Sequence, residues 1–255
     1  MASIITRIDR SSRVRLLWER LQDLVFPRPC VFCHLPRKGG GPCLCGPCRD
    51  SLHWIERPFC GRCGIPAEID YDLPQNNFEC ARCRTQPPVF DRARSVGLYE
   101  SALKELIAFY KYRKQTGALK EIRSLLECYF LAADEAYDGL TVVPVPLHVS
   151  KLRERQFDQA CLLAREVARL LTLRCDPGLL KRIRPTPTQT RMTRSERIEN
   201  VRGAFAVQKP EAVQGSAFLI VDDVMTTGAT LNEVARVLKR AGAARVEALT
   251  LARAA

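Results

Sequence analysis

Eight cysteines between residues 30 and 83 stand in four Cys-x-x-Cys pairs: Cys30/Cys33, Cys45/Cys48, Cys60/Cys63 and Cys80/Cys83. Two intervening residues let both sulfurs of a pair face one tetrahedral ion, so two pairs complete a four-thiolate zinc site. Four pairs therefore make two sites. The sequence leaves their partners open. A sequential arrangement joins the first pair to the second and the third to the fourth; a cross-braced one joins first to third and second to fourth. Closed sites of this kind hold structural ions, and in a segment with little core of its own the metal supplies folding free energy. Gly46, Gly61 and Gly64 lie in or just after the pairs, where tight turns need them. A disulfide framework would need an exported chain. A redox Cys-x-x-Cys is not expected four times over. Cys43 is a ninth cysteine in this region; Cys128, Cys161 and Cys175 lie in apolar patterns and read as buried thiols.

The rest of the chain has a different texture. Its 255 residues allow one large domain or two smaller ones, and a hydrophobic content of 46% suffices for a substantial core. Residues 1–29 read as an N-terminal amphipathic helix, with Val14, Leu17, Trp18, Leu21 and Val25 on one face. The cysteine region spans 30–83, and Pro-Pro within 84–91 marks a linker. From 92 to 255 strand and helix signals alternate. Strands are expected at Arg94–Tyr99, Leu140–Val145, Phe205–Val207, Phe218–Val221 and Val246–Leu251. Helices are expected at 101–113, 118–133, 158–172 and 229–241, the last stopped by Gly242. This alternation predicts an α/β fold, a parallel sheet with helices on both faces. Ligands on such sheets bind outside the carboxyl ends of the strands, which puts the loops after Val145 and Val221 on one rim. No stretch approaches the roughly 20 uninterrupted apolar residues of a membrane span. The N-terminal arginines replace a signal core, so a cytoplasmic location is expected.

Charge narrows the ligand class. The formal net charge is +12, and residues 181–210 hold eight basic against two acidic residues, half of the excess. Such a segment suits a polyanion, a diphosphate or a nucleic acid. Residues 30–91 hold seven of each sign, which argues against the cysteine region gripping nucleic acid alone.

The sharpest chemical signal is Phe218-Leu-Ile-Val-Asp-Asp-Val-Met-Thr-Thr-Gly-Ala-Thr230. An apolar strand reaches two carboxylates, Asp222 and Asp223. A hydroxyl-rich turn, Thr226, Thr227, Gly228, Ala229 and Thr230, then opens a helix carried by Leu231, Val234, Val237 and Leu238. Unpaired N–H groups at a helix N-terminus attract a phosphate, Gly228 allows close backbone approach, and the threonines add donors. The carboxylates are placed to accept from sugar hydroxyls. There is no Gly-Lys-Ser/Thr of a P-loop and no Gly-x-Gly-x-x-Gly turn of a dinucleotide fold.

Two other constellations have similar chemistry. Val143-Pro-Val-Pro-Leu147-His148 is followed by Arg153 and Arg155, whose guanidinium forks suit a diphosphate. Arg184-Pro-Thr-Pro-Thr-Gln189-Thr-Arg191, with Arg194, Arg197 and Asn200 behind it, is basic, prolyl and aperiodic to Thr193, and reads as a mobile lid.

The 218–230 segment resembles the phosphoribosyl-pyrophosphate (PRPP) signature of type I phosphoribosyltransferases. Together with the cysteine region, Tyr110-Lys111-Tyr112, Val-Pro-Val-Pro-Leu and the Thr-x-x-Gln segment, it makes residues 20–252 similar to the ComF family. That resemblance implies a double zinc ribbon before a phosphoribosyltransferase fold, with two structural zinc ions bound by the eight paired cysteines. It implies PRPP with magnesium as ligand. Asp222 and Asp223 would hold the ribose hydroxyls and favour a developing cation. Thr226, Thr227, Gly228, Ala229 and Thr230 would hold the 5-phosphate. Leu147, His148, Arg153, Arg155, Lys111 and Gln189 would line the substrate, and Arg191 and Arg197 would neutralise the departing diphosphate. The family's Arg-x-Arg-Gly-Phe-Asn-Gln pattern is broken here at Gln156 and Asp158. The resemblance also implies a role in natural competence, with single-stranded DNA and competence-machinery proteins as partners. The alternative to phosphoribosyl transfer is a non-catalytic single-strand-binding or PRPP-sensing accessory protein, with Trp54, Tyr110 and Tyr112 available for stacking.

Overall fold

The computed structural model describes residues 29–37, 41–67, 78–112, 116–133, 135–148, 158–186 and 193–254. The segment read as an N-terminal helix, and Arg153, Arg155, Gln189 and Arg191, lie outside them. In chain order the elements are α1 (Gly46–Asp50), α2 (Ala81–Thr85), β1 (Arg92–Leu98), α3 (Ser101–Tyr112), α4 (Thr116–Ala132), β2 (Leu140–Pro144), α5 (Gln159–Leu170), β3 (Arg174–Cys175), β4 (Leu180–Arg182), α6 (Arg194–Val201), β5 (Phe205–Val207), β6 (Ala217–Met225), α7 (Ala229–Arg240) and β7 (Arg245–Arg253).

Five strands form one parallel sheet in the order β1-β7-β6-β2-β3, and β4 and β5 form a separate antiparallel pair. The expected parallel α/β sheet is thus present. The chain runs outward from β2 to β3 and then returns to the other side of β2 at β6. The strand order therefore reverses between β2 and β6, the place where such sheets bind ligands.

Alternation along each strand divides the core. Val142, Leu219, Val221, Leu249 and Leu251 pack with α3, α4 and α5 on one face. Val143, Phe218, Ile220, Val246 and Ala248 pack with α7 and the β4–β5 pair on the other. Both faces are covered, so the central strands carry near-continuous apolar runs. Each large aliphatic side chain so buried stabilises the fold by about 1.5–3 kcal/mol.

The cysteine region is built onto this sheet. Its backbone runs along the outer edge of β1: Ile55 N–H donates to Val96 O (3.1 Å), Leu98 N–H to His53 O (2.8 Å) and Ala93 N–H to Arg62 O (2.6 Å). An otherwise open edge is thereby satisfied. Gly64 sits at φ +67°, and a Cβ there would lie 2.7 Å from Ala93 O. The first two cysteine pairs pack with the α3–α4–α5 face and the last two with the α7 face. The metal-binding region therefore straddles the edge of the sheet.

Three differences from the sequence reading have physical causes. β6 runs on through the acidic pair to Met225, because β7 offers backbone partners as far as Arg253. β3 and β4, two and three residues long, carry too little pattern to be seen. Cys128 is exposed on α4, and Cys161 and Cys175 are only partly buried. No helix among the described residues is long and apolar enough to cross a membrane.

Candidate functional site

The eight paired cysteines gather sequentially. Cys30, Cys33, Cys45 and Cys48 form one cluster and Cys60, Cys63, Cys80 and Cys83 the other, each with all four sulfurs within 4.8 Å of one another. Between pairs, Cys33 Sγ and Cys45 Sγ lie 3.7 Å apart, and Cys63 Sγ and Cys80 Sγ 3.8 Å. A tetrahedron with Zn–S bonds of about 2.3 Å has sulfur–sulfur edges of about 3.8 Å, so both clusters fit a zinc ion. Thiolates are the form that binds zinc. The Cys63 hydrogen bond and backbone N–H groups pull Cys60 down to about 4. Burial raises Cys30, but backbone N–H groups outweigh it and bring the thiol to about 6. The neighbouring sulfurs shift the other way: burial raises Cys48 and Cys83, and the hydrogen bond to Cys60 raises Cys63.

Each cluster has its own anchor in the sheet domain. Glu121 of α4, fully buried, accepts the N–H groups of Cys43 (2.9 Å) and Leu44 (3.2 Å) and lies 3.5 Å from Arg49 Nη1. Cys43 thus has a role as the backbone donor that fixes the first cluster on α4. At the second cluster, Arg94 donates to Gly61 O (2.9 Å), and Arg253 donates to Cys63 O (2.6 Å).

The acidic pair lies at the reversal point of the sheet. Asp223 faces α3, where Lys111 Nζ is 3.0 Å from Asp223 Oδ2. Asp222 accepts the Asp223 N–H at 2.9 Å. Burial, reinforced by the Asp223 carboxylate, pushes Asp222 up to about 7; the cations of Lys111 and Arg182 oppose it. Burial works against the Lys111 ammonium, but Asp223 outweighs it and holds the group above its ordinary value. A carboxylate near neutrality beside a second, ion-paired one is a form seen at functional sites.

Lys111 is positioned by neighbours from the next segment. Gln159 Nε2 donates to Lys111 O (2.9 Å), and the buried Tyr110 hydroxyl donates to Gln159 O (2.8 Å). Tyr110 is therefore closed to base stacking, contrary to the sequence reading, while Trp54 is half-buried. Asp158, a departure from the family pattern, caps α5 by accepting the Cys161 N–H at 3.0 Å. Asn and Asp cap helices comparably, so the local geometry survives the change.

Thr226, Thr227 and Gly228 form the turn, and Ala229 and Thr230 begin α7. Gly228 is the N-cap at φ +76°, a left-handed conformation, and a Cβ there would lie 2.8 Å from Met225 Cε. A glycine cap has no side chain to occupy the helix N-terminus. Asp222, Thr226, Thr227 and Thr230 line a small cup of about 40 Å³ there. Val145 N–H donates to Val221 O (2.9 Å), so the Val-Pro-Val-Pro turn lies along β6, with Leu147 and His148 half-buried behind it.

Residues 187–192, the middle of the expected lid, lie outside the described residues, and the described parts on either side of them are folded. β4 and β5 form the arm of this basic segment. Arg182 stacks on Phe205 (5.3 Å) and bonds Thr186 Oγ1, and Arg184 donates to the carbonyls of Asn200 (2.9 Å) and Arg202 (2.8 Å) at the end of α6. Thr193 and Glu196 form a capping box at its start. Gly203 N–H reaches Glu233 of α7 at 2.9 Å. Arg197 is on α6, half-buried. Part of the positive excess is therefore structural.

Four residues escaped the sequence reading. Arg182 lay unremarked within the basic run. Arg82 lay between two metal ligands, and its Nη2 bonds the Thr227 carbonyl. Glu121 and Arg253 have partners 78 and 190 residues away, and no local pattern announces them.

Comparison with known proteins agrees with this architecture. Residues 21–84 match the double zinc ribbon domain family and residues 158–255 the phosphoribosyl transferase domain family. The chain is 30% identical over 234 residues to competence protein F of Haemophilus influenzae, across 88% of this chain and 96% of that one. The chain belongs to the ComF family. Other relatives in this ComF group are the DNA utilization protein YhgH of Escherichia coli K12, 32% identical over 234 residues (90% of this chain, 99% of the relative), and competence protein ComFC of Bacillus subtilis, 29% identical over 215 residues (82% and 84%).

Proposed function

We propose that this ComF-family protein binds PRPP with magnesium at the β2–β6 reversal and transfers its phosphoribosyl group with release of diphosphate. The carrying observation is the convergence, on one rim, of Asp222, Asp223 with Lys111, and a helix N-terminus opened by Gly228. In this reading the turn and α7 take the 5-phosphate through N–H groups and threonine hydroxyls. The two carboxylates accept from the ribose hydroxyls and favour positive charge as the C1–O bond loosens. Arg197, with Arg153, Arg155 and Arg191, neutralises the departing diphosphate. Magnesium, arriving with PRPP, supplies further charge neutralisation on the diphosphate. The names of the relatives, competence protein F and DNA utilization protein, support a role in the handling of DNA during competence, and a cytoplasmic location with competence-machinery partners belongs to the same proposal.

Titration calorimetry of the zinc-loaded protein with PRPP and magnesium is expected to show binding that Asp223→Ala abolishes. A screen of diphosphate release against bases, ammonia and oligonucleotides then identifies the acceptor. No heat with PRPP, from protein that unfolds cooperatively, overturns the reading. A second reading rests on the exposed Lys181, Ile183, Ile198 and Arg202 of the arm: a non-catalytic protein that senses PRPP or holds single-stranded DNA through its phosphates. In that case oligonucleotide affinity falls steeply with salt and survives Asp223→Ala.

A further inference from the structure

Two guanidinium groups join the second cysteine cluster to the Thr226–Gly228 turn. Arg82 lies between the ligands Cys80 and Cys83, and its Nη2 donates to the Thr227 carbonyl. Because a peptide is planar and trans, a carbonyl held toward the ribbon aims the following N–H, that of Gly228, the opposite way. Arg253, 2% exposed, donates to Cys63 O at 2.6 Å; it lies 3.6 Å from Cys63 Sγ and 3.2 Å from Met225 Sδ. Met225 is the residue whose methyl group underlies Gly228, and its carbonyl accepts the Ala254 N–H at 3.0 Å.

The charges are complementary. The described partners of Arg253 include no carboxylate. Four thiolates around one divalent zinc leave two negative charges beside it. A cleft of about 210 Å³ is lined by both structures, by Cys63, Arg82 and Cys83 of the cluster and by Met225, Thr227 and Gly228 of the turn. The first cluster is anchored instead on Glu121, at the opposite face of the sheet.

We infer that the second metal cluster is a working part of the phosphate site. With its ion in place, Arg82 and Arg253 act as positioning residues that hold the turn in its receptive shape, and the first cluster has no such role. This rests on the reading of the turn as a phosphate site.

The test uses the full chain carrying two zinc equivalents. Three quantities are measured: zinc content, amide hydrogen exchange of residues 225–230 without ligand, and calorimetric affinity for ribose 5-phosphate. Arg82→Ala should keep both zinc ions, speed exchange at 226–229 and weaken ribose 5-phosphate at least about fivefold; Arg82→Lys should recover part of both effects. Cys80→Ser, which loses one ion, should do at least as much. Cys33→Ser, which also loses one ion, should leave exchange and affinity unchanged. Unaltered exchange in Arg82→Ala, or equal effects of the two cysteine variants, overturns the inference. If the unmodified protein ignores ribose 5-phosphate, the phosphate reading fails, and the exchange comparison still decides whether the cluster holds the turn.

Discussion

Lys111 Nζ lies 3.0 Å from Asp223 Oδ2 and ties the end of α3 to the rim of β6. The two side chains are 21% and 17% exposed, so the pair is mostly withdrawn from water. A half-buried carboxylate beside a second carboxylate needs a cation. Lys111 supplies it only because Gln159 and Tyr110 fix the last turn of α3. Three segments far apart in the chain thus set the charge state of one site.

Replacing Lys111 by Met should cost about 1–3 kcal/mol of stability at pH 8, since it leaves Asp223 facing Asp222 without its partner. Urea titration gives the value. The variant should also lose PRPP affinity, although Lys111 stands beside the carboxylates and away from the turn.

The raised Asp222 predicts a pH dependence with a definite sign. Its folded value of about 7 exceeds the ordinary 3.8. Between those values the folded chain keeps a proton that the unfolded chain has released. Asp222 therefore contributes stability that is fully present below about pH 4 and is lost as pH rises to about 7. Asp222→Asn should remove that part of the slope in denaturation curves taken from pH 4 to 8. PRPP affinity should move the other way, rising through neutral pH as the ionised carboxylate accepts from ribose hydroxyls. The same rise in Asp222→Asn would assign it to another group.

Gly228→Ala meets two obstacles, a left-handed backbone and the Met225 methyl group 2.8 Å from the new Cβ. A loss of about 1–3 kcal/mol is expected, the left-handed penalty alone being about 1–2. Thermal unfolding tests it. Met225→Ala carries a cavity cost of its own, but in that background Gly228→Ala should cost only the backbone part.

Glu121→Leu removes the buried acceptor of the Cys43 and Leu44 N–H groups and the partner of Arg49. The expected cost is about 2–5 kcal/mol. One zinc equivalent, that of the first cluster, should become more accessible to a competing chelator, while the second keeps its release rate. Parallel loosening of both ions would contradict separate anchoring of the clusters.

The sequence by itself determined what local spacing can encode. Two residues between cysteines specify four half-sites. Alternating apolar runs specify strands and helices, and Asp222-Asp223 before Thr226-Thr227-Gly228 specifies a strand, turn and helix N-terminus. These depend on residues within a few positions of one another. Only the tertiary structure decided which cysteine pairs share an ion, where the strand order reverses, which carboxylate meets Lys111, and how Glu121 and Arg253 bind the metal region to the sheet. Those relationships join segments tens to nearly two hundred residues apart. They exist because buried donors and charges need partners, and a close-packed interior supplies them from wherever the chain happens to pass.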